Sequence, residues 1–152
     1  MDYRARISIF GGRKISNENY NNAYNLGRLL NKNKYPVYCG DGEGVMEAVA
    51  KGIQESGGEC IGILKGLSTD EMNSYIDIPI VTNMCITRNA LLAYSCDAAV
   101  AISGQYGTLS EIAYALQLEK SVIGLGTWEI DGVINASDEE EIIKKLNETF
   151  KK

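Results

Sequence analysis

The sequence predicts an α/β fold, a Rossmann-like three-layer domain with a mainly parallel sheet and helices on both faces. Three observations carry this. Short apolar runs alternate with segments whose apolar residues recur at helical spacing, from one end of the chain to the other. Three turns that follow strands carry glycines, at 11–12, 40–44 and 104–107. No linker, repeat or low-complexity stretch divides the 152 residues, so 1–152 reads as one domain.

Arg6-Ile7-Ser8-Ile9-Phe10 is the first strand, ended by Gly11-Gly12. Residues 17–33 form a helix, with Tyr20, Ala23, Tyr24, Gly27 and Leu30 on one face. Pro36-Val37-Tyr38-Cys39 is a short second strand, broken by Gly40-Asp41-Gly42-Glu43-Gly44. Val45, Met46, Val49, Ala50 and Ile53 mark the second helix, which Gly57-Gly58 ends. Cys60–Leu64 is a third strand, and 65–74 is a polar loop. Residues 76–81 form a strand placed near an edge by Pro79, which cannot donate to a ladder. A third helix spans 86–95, a strand 98–102, a helix 108–118 and a strand 121–125. Residues 132–134 are extended, and Ser137-Asp138-Glu139-Glu140 is a capping-box match ahead of Ile142, Ile143 and Leu146.

Bulk composition narrows the chemistry. A net charge of −5 disfavours a nucleic-acid or membrane-surface role, which would need a basic face. A local basic pocket stays open, with Arg13, Lys14, Lys65 and Arg88 as candidates. No apolar run approaches the length of a membrane span, and Met1-Asp2-Tyr3-Arg4 does not read as a signal peptide, so the expectation is a cytoplasmic protein. The chain contains no histidine, which excludes Ser-His-Asp and Cys-His engines. Acid–base work would fall to carboxylates, tyrosine, lysine or water. Cys39, Cys60, Cys85 and Cys96 form no CxxC pair; they read as reduced thiols, and no metal site is predicted.

The stretch Ser103-Gly104-Gln105-Tyr106-Gly107-Thr108-Leu109-Ser110-Glu111 runs from a strand through a glycine turn into a helix. Such a turn brings backbone N–H groups and the positive helix end to one place, which suits a phosphate. Thr108-x-x-Glu111 also fits a capping box, which would explain both residues without any ligand. Gly40-x-Gly42-x-Gly44 resembles a dinucleotide fingerprint, but its third glycine is one residue early and Leu64-Lys65 stands where a ribose-binding acid belongs. A phosphate at that helix start is the favoured reading, and a tight turn with no ligand is the alternative. Arg88 opens the third helix, where a cation opposes the dipole, so an anionic partner is expected: a ligand phosphate or Glu111. Tyr106 and Asn83 lie in the same loops and could meet a base or sugar, or solvent.

With these residues assembled, the chain resembles the Lonely-guy (LOG) superfamily, formerly called lysine decarboxylase-like. That superfamily includes nucleoside-monophosphate phosphoribohydrolases and molybdenum cofactor carrier proteins. The likeness runs from Ile7 to about Trp128. The family pattern P-G-G-x-G-T-x-x-E falls on Ser103 to Glu111: Gly104, Gly107, Thr108 and Glu111 match, while Ser103 and Gln105 depart. A glycine turn followed by G-[LV]-M falls on Gly40 to Met46. Asn89 after Arg88, where the hydrolases carry lysine, is similar to the cofactor-carrier-like branch.

The resemblance implies a ligand bound by Gly11, Gly12, Gly40, Gly42, Gly44, Met46, Gly104, Gln105, Tyr106, Gly107 and Thr108. On the hydrolase reading, Glu111 and Arg88 are catalytic on a nucleotide similar to AMP, and no cofactor is required. Glu111 would orient a water or steady the oxocarbenium-like sugar, and Arg88 would position the ribose and Glu111. On the carrier reading, the same pocket holds the molybdenum cofactor as cargo. A nucleotide sensor that signals through a partner is the third reading. The family likeness also implies a homodimer or higher homo-oligomer, through the helices carrying Tyr94 or Tyr114.

Overall fold

A computed structural model describes residues 2–151. Seven strands form one parallel sheet: β1 (Ile7–Gly11), β2 (Val37–Cys39), β3 (Cys60–Leu64), β4 (Ile78–Val81), β5 (Ala98–Ile102), β6 (Ser121–Leu125) and β7 (Val133–Asn135). Their order is β4-β3-β2-β1-β5-β6-β7. The chain builds outward from β1 to β4, crosses back, and builds outward again from β5. The direction of winding therefore reverses between β1 and β5, and a crevice opens at the carboxyl ends of that pair.

Among the described residues, five α-helices cover the sheet: α1 (Asn17–Lys32), α2 (Val45–Glu55), α3 (Arg88–Ser95), α4 (Tyr106–Gln117) and α5 (Glu139–Thr149). Alternation along the central strands feeds two cores. Ile7, Ile9, Val100 and Ile102 point toward α1, α2 and α5, with Leu26, Val49 and Ile142. Phe10, Ala99 and Ala101 point toward α3 and α4, with Leu92 and Ile112. Ser8, on this second side and fully buried, donates its hydroxyl to the Leu92 carbonyl at 2.6 Å. The edge position expected from Pro79 is observed: β4 pairs only with β3, and all four of its residues are exposed.

Three element boundaries differ from the sequence expectation by two residues, and others by one. The strand over 76–81 shortens to Ile78–Val81, because Asn73 holds a turn through Tyr75 N at 3.0 Å and Ile76 is buried against Gly62. The helix over 86–95 splits into a 3-10 turn, Cys85–Thr87, and α3. The helix over 108–118 starts two residues earlier, at Tyr106. At α5 the cap lies one residue later than the motif suggested. Asp138 accepts from Glu141 N at 2.8 Å, and Glu141 reaches back to Ser137 N at 2.7 Å. Among the described residues, no helix is long and apolar enough to cross a membrane.

Helices α1 and α2 meet backbone to backbone through Gly27 and Gly52. A Cβ at Gly52 would lie 2.1 Å from the Tyr24 carbonyl oxygen. Alanine gains about 1 kcal/mol over glycine in helix propensity, but here it would have to force two helices apart. Gly52→Ala is therefore expected to lose about 1–2 kcal/mol net, read as a lower urea midpoint. An unchanged or higher midpoint would show that the helix pair can yield.

Candidate functional site

The crevice between β1 and β5 is built from three glycine turns that brace one another. Gly12 follows β1; its carbonyl accepts Val45 N at 3.0 Å and so fixes the start of α2. Gly44, the α2 cap, takes φ +70, and a Cβ there would lie 2.3 Å from the same Gly12 oxygen. After β5, Ser103 (φ 55) and Gly104 (φ 99) are both left-handed. That double turn brings the chain into α4 with Gly104 pressed on Thr108: a Cβ at 104 would meet Oγ1 at 2.2 Å.

The cap of α4 is Gln105, whose side chain makes no capping bond. The first-turn N–H groups of Tyr106, Gly107 and Thr108 therefore have no side-chain acceptor, and the positive end of the helix dipole is open. Thr108 is the third residue of the helix and Glu111 the sixth, so the two cannot form the capping box that their spacing suggests. Both are buried polar residues instead, and both face a cavity of about 910 Å³.

The cavity is lined by Gly11, Gly12, Met46, Arg88, Gly104, Gln105, Gly107, Thr108 and Glu111 among the residues singled out in the sequence. Arg13, Lys14 and Lys65 join Arg88 on its wall, so four basic residues line one cavity in a chain of net charge −5. Asn89, Glu71, Cys85, Ile86, Gly66 and Ser103 complete the lining; the sequence reading had not assigned them to the site. Gly40, Gly42 and Gly44 stand behind the wall. A Cβ at Gly40 would meet Met46 Sδ at 2.8 Å and Arg88 Nη1 at 2.9 Å, and one at Gly42 would meet Met46 Cε at 2.7 Å. Gly40 and Gly42 let Met46 and Arg88 close the cavity floor, and Gly44 admits the Gly12 carbonyl. Tyr106 turns away from the cavity, 80% exposed, toward Trp128, with ring centroids 6.3 Å apart. Trp128 Nε1 in turn donates to the Gln105 carbonyl at 2.9 Å. Asn83 is exposed in a left-handed turn and is not part of the lining.

Arg88 is buried, and its partner in an ion pair is Asp41 rather than Glu111. Nη1 donates to Ile63 O at 2.7 Å and to Asp41 Oδ1 at 3.2 Å, while Nε donates to Asn89 Oδ1 at 3.1 Å. Nη2 has no partner among the described residues and is left to the cavity. Asn89 extends the network to α4 through Ser110 Oγ at 3.3 Å. Asp41 escaped the sequence reading. Its signal was an acid set between two glycines of a buried turn, which demands a cation from elsewhere in the chain.

Glu111 is 7% exposed and makes no hydrogen bond or ion pair with any described residue. Burial pushes its carboxyl up from 4.5 to about 8, against the opposing pull of the Arg88 guanidinium. At neutral pH it is a carboxylic acid. Among the described residues, no group of three or more His, Cys, Asp or Glu side chains is placed to hold a metal ion.

A family model described as the SLOG cluster4 family matches residues 4–150. The chain belongs to the SLOG cluster4 family. An uncharacterized protein of Archaeoglobus fulgidus is 38% identical over 120 residues, 79% of each chain. Two solved structures share the fold of this SLOG protein from end to end. A molybdenum cofactor binding protein from Rippkaea orientalis is 30% identical, with a TM-score of 0.90 over 98% of this chain and 99% of that one. The molybdenum cofactor carrier protein of Chlamydomonas reinhardtii is 29% identical, with a TM-score of 0.87 over 97% and 99%. Within the wider family, this SLOG chain sits with the cofactor-carrier-like branch.

The raised Glu111 carboxyl has a consequence for folding. An unfolded chain releases this proton near 4.5 and the folded one near 8, so the native state binds more protons between those values. Stability contributed at this site is full below pH 4.5 and falls as pH rises toward 8. Glu111→Gln removes the loss. Its stability gain over wild type is expected to grow from near zero at about pH 4.5 to the order of 3 kcal/mol at about pH 7, measured by chemical denaturation across that range. A difference independent of pH would mean that Glu111 titrates normally.

Proposed function

We propose that the cavity binds a phosphorylated small molecule of the molybdenum cofactor type and releases it unchanged. The observation that carries this reading is the wall of Arg13, Lys14, Lys65 and Arg88 facing the uncapped α4 N-terminus. Backbone N–H groups and four cations around one space form a site for a phosphate-bearing ligand. The two neighbours that bind or carry molybdenum cofactor add to that reading at about 30% identity.

The protonated state of Glu111 removes the carboxylate that would steady an oxocarbenium-like sugar near neutral pH. Breaking an N-glycosidic bond builds positive charge on the sugar, and a carboxylate beside it lowers that barrier. Glu111 keeps its proton up to about pH 8 and offers a neutral acid in its place. Anaerobic titration with molybdenum cofactor is expected to saturate at one cofactor per chain, with the cofactor recovered intact. No saturable binding would overturn the carrier reading.

Hydrolysis is the second reading, favoured by Glu111 and Arg88 sharing one cavity wide enough for a nucleotide. It calls for free base and ribose 5-phosphate from a nucleoside 5′-monophosphate, lost in Glu111→Gln. Intact nucleotides after prolonged incubation with the wild-type protein count against it.

The proposal includes self-association through α3 and α4, where Tyr94 and Tyr114 are exposed at 63% and 45%. Native mass spectrometry is expected to give a dimer or a multiple of it. A monomer alone would refute that part.

A further inference from the structure

We propose that Glu111 is a specificity-determining residue of the cavity: it meets the ligand's anionic group as a hydrogen-bond donor, so that an anion and a proton are bound together. This rests on the reading of the cavity as an anion site. The geometry behind it is the placement of an unpartnered, buried carboxyl one turn below the open N-terminus of α4. A carboxylate there would repel an incoming phosphate or sulfate. A carboxylic acid there supplies an O–H where the cavity needs a donor.

The charged and titratable groups around Glu111 come from every element that walls the cavity. Arg88 on α3 is the near cation, but Asp41, after β2, already answers its charge. Arg13 and Lys14, after β1, are exposed at the mouth; Lys65, after β3, is half-buried, and Glu71 beyond it is exposed. Cys85 in the 3-10 turn contributes a thiol. Thr108, one turn up on α4, contributes a hydroxyl. None of these makes a hydrogen bond or ion pair with Glu111. Burial therefore dominates its titration, with its proton lost near pH 8 in the unliganded protein.

The step balances simply. Above that pH the free protein carries the carboxylate. Binding takes the anion from solution and one proton from water or buffer; the proton forms the O–H bond at Glu111, and that O–H donates to an anion oxygen. No other bond changes. Below that pH the proton is already present and binding takes up none.

The test is isothermal titration calorimetry of the full chain with sodium sulfate, whose charge is fixed over the range used. Ionic strength is held constant from about pH 6.5 to 9.5, in pairs of buffers that differ in ionisation enthalpy. Affinity is expected to be flat below about pH 7.5 and to weaken toward about tenfold per pH unit above pH 8. Proton uptake is expected to rise from near zero to nearly one per sulfate over the same range. Glu111→Gln is expected to abolish both the uptake and the slope. Cys85→Ser, which removes the thiol from the cavity lining, is expected to retain them.

A wild-type protein that binds sulfate without proton uptake overturns the inference while leaving the anion site standing. Uptake that persists in Glu111→Gln, or vanishes in Cys85→Ser, overturns it by assigning the proton elsewhere. Absence of sulfate binding at every pH overturns the anion-site reading and this inference with it. A merely structural role for Glu111 would shift the melting temperature and leave the proton count unmoved.

Discussion

The site depends on how one guanidinium is buried. Arg88 lies at the floor of the crevice, where a cation without partners would cost several kcal/mol. Its Nη1 and Nε are fixed by the turn after β2 through Asp41, by β3 through the Ile63 carbonyl and by its own helix through Asn89. Asn89 then ties α3 to α4 at Ser110. One side chain thus holds the two halves of the sheet's cover in register at the point where the winding reverses. The demand spreads outward from it. Gly40 must lack a Cβ because Arg88 and Met46 fill that space, and Asp41 must be buried because Arg88 is.

The same arrangement sets the electrostatics of the cavity. Asp41 answers most of the Arg88 charge, which leaves Nη2 as the edge offered to a ligand. Glu111 feels Arg88 only through space, and the desolvation of its carboxyl prevails. The cavity therefore holds an arginine with one open edge, further cations toward the mouth, open backbone donors and a neutral acid. Every one of these groups can donate a hydrogen bond to an anion, and a surface of donors favours holding an anion over attacking its ester or glycosidic bonds.

The sheet was legible because its strands are buried on both faces and appear as uninterrupted apolar runs, such as Ala98-Ala99-Val100-Ala101-Ile102. Pro79 marked its edge strand for a reason intrinsic to proline. The place of the cavity could be read from the glycine turns, since crevices open at the carboxyl ends of parallel strands where the winding reverses. What stayed hidden was fixed by partners distant in sequence. Nothing near Gly40 says that it yields space to Arg88, and nothing near Tyr106 says that Trp128 draws it out of the cavity. The pairing of Asp41 with Arg88 needed the fold before it could be seen.

The start of α4 shows how a shift of two residues changes chemistry. Had the helix begun after Thr108, Glu111 would lie in the first turn, its carboxylate stabilised by the positive helix end and by the cap N–H. The left-handed pair Ser103-Gly104 starts the helix early, at Tyr106. Gly107, Thr108 and Glu111 then share the face that lines the cavity, with Glu111 in the second turn. The dipole's effect is confined to the first turn, so burial governs the carboxyl and keeps it protonated. The free N–H groups that a capping glutamate would have consumed remain for a ligand. Thr-x-x-Glu spacing is the same in both registers, and the backbone of the preceding turn decides which chemistry it carries.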